Sequence, residues 1–160
     1  MPQLQTLIRW IHILSGAVWL GEIAMMAFVL VPQANRLPSN ERKTFIASVF
    51  PRAFRVASYS IVFALLSGLW LSYLMTGWVD LPGVLATRWG KLILSGGVLG
   101  LAIAFVHFFV ANQIEARLIG GKLSAKQENR LFAFLRIIPR GGLLVISLVF
   151  ILMMVAARGF

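Results

Sequence analysis

Four long apolar runs, each almost free of charge, govern what this chain can fold into. They cover about Trp10 to Pro32, Val56 to Gly77, Trp89 to Ala111 and Gly141 to Ala157. A helix needs about 20 apolar residues to cross the hydrocarbon core of a bilayer. Lipid offers backbone N–H and C=O groups no partners, so a continuous helix is the expected solution for each run. The expectation is an all-α integral membrane four-helix bundle, one transmembrane domain over residues 1–160. Composition agrees: 59% of the chain is hydrophobic and 12% is charged, against about 25% charged in a soluble domain. Pro32, Pro51 and Pro139 fall near run ends, where a missing N–H does least harm. The first run is too long for a signal-peptide core, and no small-residue cleavage site follows it, so no cleavable leader is expected.

The net charge of +10 suggests nucleic acid in a soluble protein. In a membrane protein it points to cytoplasmic loops facing anionic lipid, and no nucleic-acid partner is expected. The connection 33–55 carries Arg36, Arg42, Lys43, Arg52 and Arg55. The connection 112–140 carries Arg117, Lys122, Lys126, Arg130, Arg136 and Arg140. The other side has only Arg9, Arg88, Lys91 and Arg158. This asymmetry puts both connections in the cytoplasm and both termini outside; the expected location is the inner (plasma) membrane of a bacterial cell. Trp10, Trp78 and Trp89 then fall at the outer interface, where an indole is at home. Asn40 to Arg55 and Ser124 to Ile138 read as basic amphipathic helices. Besides plain solvated helix ends, each has two open readings: lying on the inner leaflet, or extending the following span into the cytosol.

A weak internal repeat is visible. At a shift of 79 residues, Arg9-Trp10 falls on Arg88-Trp89, His12 on Lys91 and Gly21 on Gly100. At a shift of 88, Arg42 falls on Arg130 and Pro51-Arg52 on Pro139-Arg140. This suggests two pseudo-symmetric helical hairpins of the same orientation, N-out and C-out.

Ionisable residues inside a span are costly and are functional candidates by default. They are His12, Glu22, Lys91 and His107. His107 lies roughly 24 Å deeper along its helix than Lys91, at 1.5 Å per residue, so the two histidines are not expected to clamp one haem. His12 and Lys91 are equivalent in the repeat and sit at one depth. A neutral imidazole and a neutral amine both ligate iron, with Arg9 and Arg88 one turn outward to receive haem propionates. The alternatives are that Lys91 snorkels to the headgroups and His12 hydrogen-bonds a neighbouring helix. Glu22 is a proton-relay candidate, or bonds Ser67, Ser72 or Tyr73. His107 is an alternative ligand, or a satisfied interfacial histidine. Met25-Met26 and Met153-Met154 raise copper(I) or apolar filler. Ser15, Gly16, Ser67, Gly68, Ser95, Gly96, Gly97 and Gly100 suit close helix contact, within the bundle or in a homodimer. The absence of cysteine excludes disulfides, thiolate metal sites and covalent c-type haem. No nucleophile–base pair, carboxylate dyad or soluble-enzyme motif is present.

The stretch His12-Ile-Leu-Ser-Gly-Ala-Val-Trp19-Leu-Gly21 resembles the H-x6-W-x-G opening of the superfamily joining HemJ-type protoporphyrinogen oxidases and CopD-type copper-resistance proteins. Ser67-Gly68-Leu69-Trp70-Leu71 is similar to the G-L-W-L of HemJ-type span 2, and Trp89-Gly90-Lys91-Leu92 with His107 to the W…K-L…H of span 3. The N-E before the last proline of HemJ-type proteins is replaced by Arg136-Ile-Ile-Pro139. Thr87-Arg88-Trp89-Gly90-Lys91-Leu92 also resembles a CopD-type stretch whose register puts Ser95 at the ligand lysine. The HemJ-type resemblance implies haem b held by His12 and Lys91, a porphyrin substrate (protoporphyrinogen IX) and a quinone or other membrane electron acceptor. The CopD-type resemblance implies copper transport or tolerance. A third expectation is a non-catalytic subunit of a larger membrane complex.

Overall fold

The computed structural model describes residues 2–114 and 125–158, and side chains over 3–114 and 130–158. Part of the expected connection 112–140, with Arg117 and Lys122, lies outside the described residues. The described chain is helical, with no strand. Helix α1 (Pro2–Met25) runs through a π-helical turn (Met26–Leu30) into α2 (Val31–Arg36). Helix α3 (Ser39–Thr76), the short α4 (Leu81–Ala86), α5 (Arg88–Ile114) and α6 (Ala125–Arg158) follow. Four stretches are long and apolar enough to span a membrane: Gln3–Arg36, Ser39–Thr76, Arg88–Ile114 and Arg130–Arg158. The chain is therefore an all-α, multi-pass membrane four-helix bundle. Its apolar rim fits lipid: Phe105 is 74% exposed and Leu144 75%, which water would not tolerate repeated around a whole surface.

The helices form a ring. Helix α1 packs most closely on α3, and α5 on α6; α1 also meets α6, and α3 meets α5. Helices α1 and α5 therefore stand on one diagonal and α3 and α6 on the other. A two-fold axis along the bundle, as the repeat suggests, gives this adjacency. Two apolar cores are stacked along the axis. One joins Trp19, Ile23, Ile61, Ile103, Ala104 and Ile146 from all four long helices. The other gathers Phe50, Phe54, Val110, Ile114, Leu131 and Leu135 around Met26 and Val31 at the basic end.

That second core resolves the two readings of residues 40–55. The segment is the first part of α3, and its Ile46, Phe50 and Phe54 face other helices. It extends the following span. Arg42 ties it down: its guanidinium donates to the carbonyls of Ala34 (3.1 Å) and Leu37 (3.0 Å) and sits 5.0 Å from the centre of the Phe132 ring. Arg136 donates to Asn35 Oδ1 at 3.1 Å. Pro51 and Pro139 thus lie inside α3 and α6, not at helix ends. Pro32 likewise lies within the continuous helix Gln3–Arg36, just after the π-helical turn, where the regular bond pattern is already shifted.

The turn between α3 and α5 is built from local signals. Gly77 ends α3 at φ +60, its N–H bonded to the Tyr73 carbonyl at 2.7 Å. Trp78 follows at φ 53, a rare conformation for a bulky residue. Its N–H reaches Thr76 Oγ1 and its ring meets Tyr73 edge-on, 5.3 Å between centroids. Asp80 caps α4 by accepting from the Gly83 N–H at 3.0 Å, and Thr87 caps α5 by accepting from the Gly90 N–H at 2.9 Å. A Cβ at Gly90 would run into the backbone carbonyl of Val84. Gly90→Ala is therefore expected to unseat α4 at a cost of about 1–3 kcal/mol. Limited proteolysis should cut residues 81–86 faster in the variant than in the parent.

Candidate functional site

His12 lies on the packed stripe of α1, in line with Trp19 seven residues on. Its Nδ1 is 2.8 Å from the Ala64 carbonyl and 3.2 Å from Ser67 Oγ on α3. A carbonyl only accepts, so Nδ1 carries the hydrogen. Ser67 spends its own hydrogen on the carbonyls of Phe63 and Ala64 one turn back, which leaves its oxygen to accept from His12. The ring lies over Gly68: a Cβ there would fall 2.9 Å from His12 Cε1. In the neutral imidazole Nε2 is then an unprotonated lone-pair donor, with no hydrogen-bond partner among the described residues. A histidine that ligates a metal through Nε2 ordinarily holds Nδ1–H on a carbonyl in this way.

The structure does not bring Lys91 to His12. Lys91 is exposed, and the two helices stand across the bundle diagonal. Helix phase gives the reason. At 3.6 residues per turn, sixteen residues rotate Lys91 roughly 160° from His107, and His107 is on the buried stripe of α5 with Gly96, Gly100 and Ile103. Lys91 thus faces outward, as a snorkelling lysine does. Arg9 and Arg88 are also exposed, near the same end of the bundle.

His107 is a satisfied interior histidine. The Ser58 hydroxyl donates to the Phe54 carbonyl at 2.7 Å, so its oxygen accepts from His107 Nε2 at 3.0 Å. Phe54 and Phe108 meet its ring edge-on at 5.5 and 5.3 Å. Glu22 is 6% exposed, and its Oε1 has no partner. The expected bond to Ser67, Ser72 or Tyr73 is not made. Ser67 is engaged with His12, Ser72 accepts from the Trp78 indole at 3.4 Å, and Tyr73 is half exposed on Trp78. Those residues also lie near His12's depth, whereas Glu22 is ten residues further along α1.

The methionine pairs diverge, as adjacent helical positions must. Met26 is buried and Met25 exposed; Met154 is exposed, whereas Met153 reaches into the notch left by Gly96. No group of three His, Asp or Glu side chains that could hold a metal ion occurs among the described residues. The frame of His12 (Ala64, Ser67 and Gly68) was readable only as a small-residue contact face. Its role depends on which helix stands beside α1, and no spacing in the sequence encodes that. No family model, curated protein or solved structure matches this chain.

Proposed function

We propose that this protein is a haem-b-binding redox protein of the bacterial inner membrane, with His12 Nε2 as the iron ligand and the basic end in the cytoplasm. The observation that carries the reading is the imidazole fixed through Nδ1–H on Ala64 and Ser67, with Nε2 left free. The donor chemistry at His12 fits haem iron; the outward Lys91 supplies no second ligand from within the same bundle. Arg9 and Arg88 are exposed cations near the His12 end, suited to anionic propionates. Haem, when bound, supplies one-electron chemistry; the chain orients it and keeps it at the membrane surface. The resemblance to HemJ-type oxidases adds protoporphyrinogen IX as the substrate and a quinone or similar carrier as acceptor.

The test is a visible spectrum with metal analysis of gently purified protein. A Soret band is expected, lost in His12→Ala and kept in Lys91→Met. Loss in Lys91→Met would restore the two-ligand site. A colourless protein from haem-replete cells would sink the reading. Copper is the second reading, and Met153 favours it. Gly16 of α1 meets Phe150 of α6, so one turn outward His12 and Met153 stand at about one depth, an imidazole and a thioether of the kind copper(I) takes. Copper in the metal analysis without a Soret band would support that occupant.

A further inference from the structure

Deeper in the bundle, two buried polar atoms, Trp19 Nε1 and Glu22 Oε1, have no partner among the described residues. Trp19 is 3% exposed and Glu22 6%. They stand one turn apart on the same stripe of α1, rising about 4.5 Å between them. A buried donor or acceptor left unpaired costs about 1–3 kcal/mol, so two on one stripe call for a guest.

There is room for one. Gly100 is buried on α5, yet a Cβ built there meets nothing within 4 Å. Its neighbours one turn on, Ile103 and Ala104, pack in the core cluster of Trp19 and Ile23. The open space therefore lies at the level of the two orphan atoms. Gly100 is buried on the same stripe of α5 as Ile103 and Ala104, which share a core with Trp19.

The guest's chemistry follows from the two atoms. It must accept from an indole N–H and donate to a carboxyl oxygen. A metal cation repels the N–H edge, and an anion without a counter-charge is too costly to bury in an apolar core. A small hydroxylic molecule does both, and water is the smallest; the other members of the core around Trp19, among them Ile61, Ile103, Ala104 and Ile146, are apolar. We propose that Trp19, Glu22 and the gap beside Gly100 form an internal water site through which the Glu22 carboxyl exchanges its proton within the membrane. The transfer is simple: the carboxyl O–H bond breaks, the water oxygen takes the proton, and the reverse step returns it. Among the described residues, no charged group of the packed elements compensates Glu22. Helix α3 presents Ile61, α6 presents Gly142 and Ile146, and α5 presents Gly100, Ile103 and Ala104. The titratable group on that stripe of α5, His107, is bound to Ser58, and His12 on α1 is bound to Ala64. An unpaired carboxylate in such surroundings is far costlier than the acid. The π-helical turn begins at Met26, one turn beyond Glu22, and such turns are common beside functional residues. This inference does not depend on haem.

The experiment is carbodiimide labelling of the full chain in lipid nanodiscs, read by peptide mass spectrometry. The lipid-soluble dicyclohexylcarbodiimide reacts with protonated carboxyls in apolar surroundings, and a water-soluble carbodiimide reports the exposed Glu41 and Asp80. The lipid-soluble reagent is expected to mark Glu22, and Glu22→Gln to remove that mark. Trp19→Phe keeps the bulk but deletes the N–H, and should slow labelling by up to about tenfold. Gly100→Val fills the gap and should slow it at least as much. Infrared spectra guard against misfolded variants. The parent should show a protonated-acid carbonyl band that shifts in D2O, and Glu22→Gln should lack it. An unlabelled Glu22 with no such band overturns the proposal. So does labelling that ignores both Trp19→Phe and Gly100→Val, because the carboxyl would then act without the site.

Discussion

Phe50→Ala is expected to destabilise the bundle by about 3–5 kcal/mol, the usual cost of emptying a fully buried phenylalanine position. Phe50 has no exposed surface. Phe45 and Phe54 meet it edge-on at 6.4 and 6.1 Å, and residues of the π-helical turn, α2, α5 and α6 join the same core. The position matters as much as the burial. Between spans in lipid there is no hydrophobic drive, because lipid tails are as apolar as leucine. At the basic end, beside Arg42 and Arg136, the alternative to burial is water and headgroups. There the full transfer and cavity terms apply. Phe63→Ala is the matched control: Phe63 is 56% exposed on the lipid-facing side of the same helix and should change stability by no more than about 0.5 kcal/mol. Thermal unfolding in one mild detergent separates the two. Equal losses would mean that the basic end is not a packed core.

Phe50 also shows where the sequence stops informing. Residues 40–55 have an apolar face that the sequence displays clearly. Periodicity tells that a face is covered, not whether lipid, the leaflet surface or another helix covers it. The four crossings were legible because length and charge alone decide them. Pro51 and Pro139 read as span ends because a proline costs a helix one bond; packing of Phe50 and Leu135 around them carries both helices onward. Lys91 is a different case. Equal depth is not proximity, because the sixteen-residue spacing to His107 sets the two on opposite faces of α5. Depth needs only a count along the helix, whereas facing needs a known neighbour. For the same reason Glu22 was legible as unusual, while its missing partner was not.

Gly68→Ala carries the second large effect, and it reaches the candidate ligand. The new Cβ would stand 2.9 Å from His12 Cε1 and 3.2 Å from Nδ1. Those atoms belong to a stiff ring held by the Ala64 carbonyl, so the ring cannot yield as a flexible side chain would. Either the helices part or the ring swings away and drops its Nδ1–H bond. The first costs about 1–3 kcal/mol as overpacking, and the second costs a similar amount for the unpaired buried group. Gly97→Ala is the control, because a Cβ there meets nothing within 4 Å. Melting should fall for Gly68→Ala and hold for Gly97→Ala. The Soret band should weaken in Gly68→Ala nearly as far as in His12→Ala, although residue 68 has no atom that ligates iron. A small methyl on a neighbouring helix acts there only through the direction of one imidazole. If the variant melts lower yet keeps its full band, the helices have parted around an undisturbed ligand. If stability and band both hold, the ring does not rest on Gly68, and the fixed tautomer that recommends His12 loses its frame.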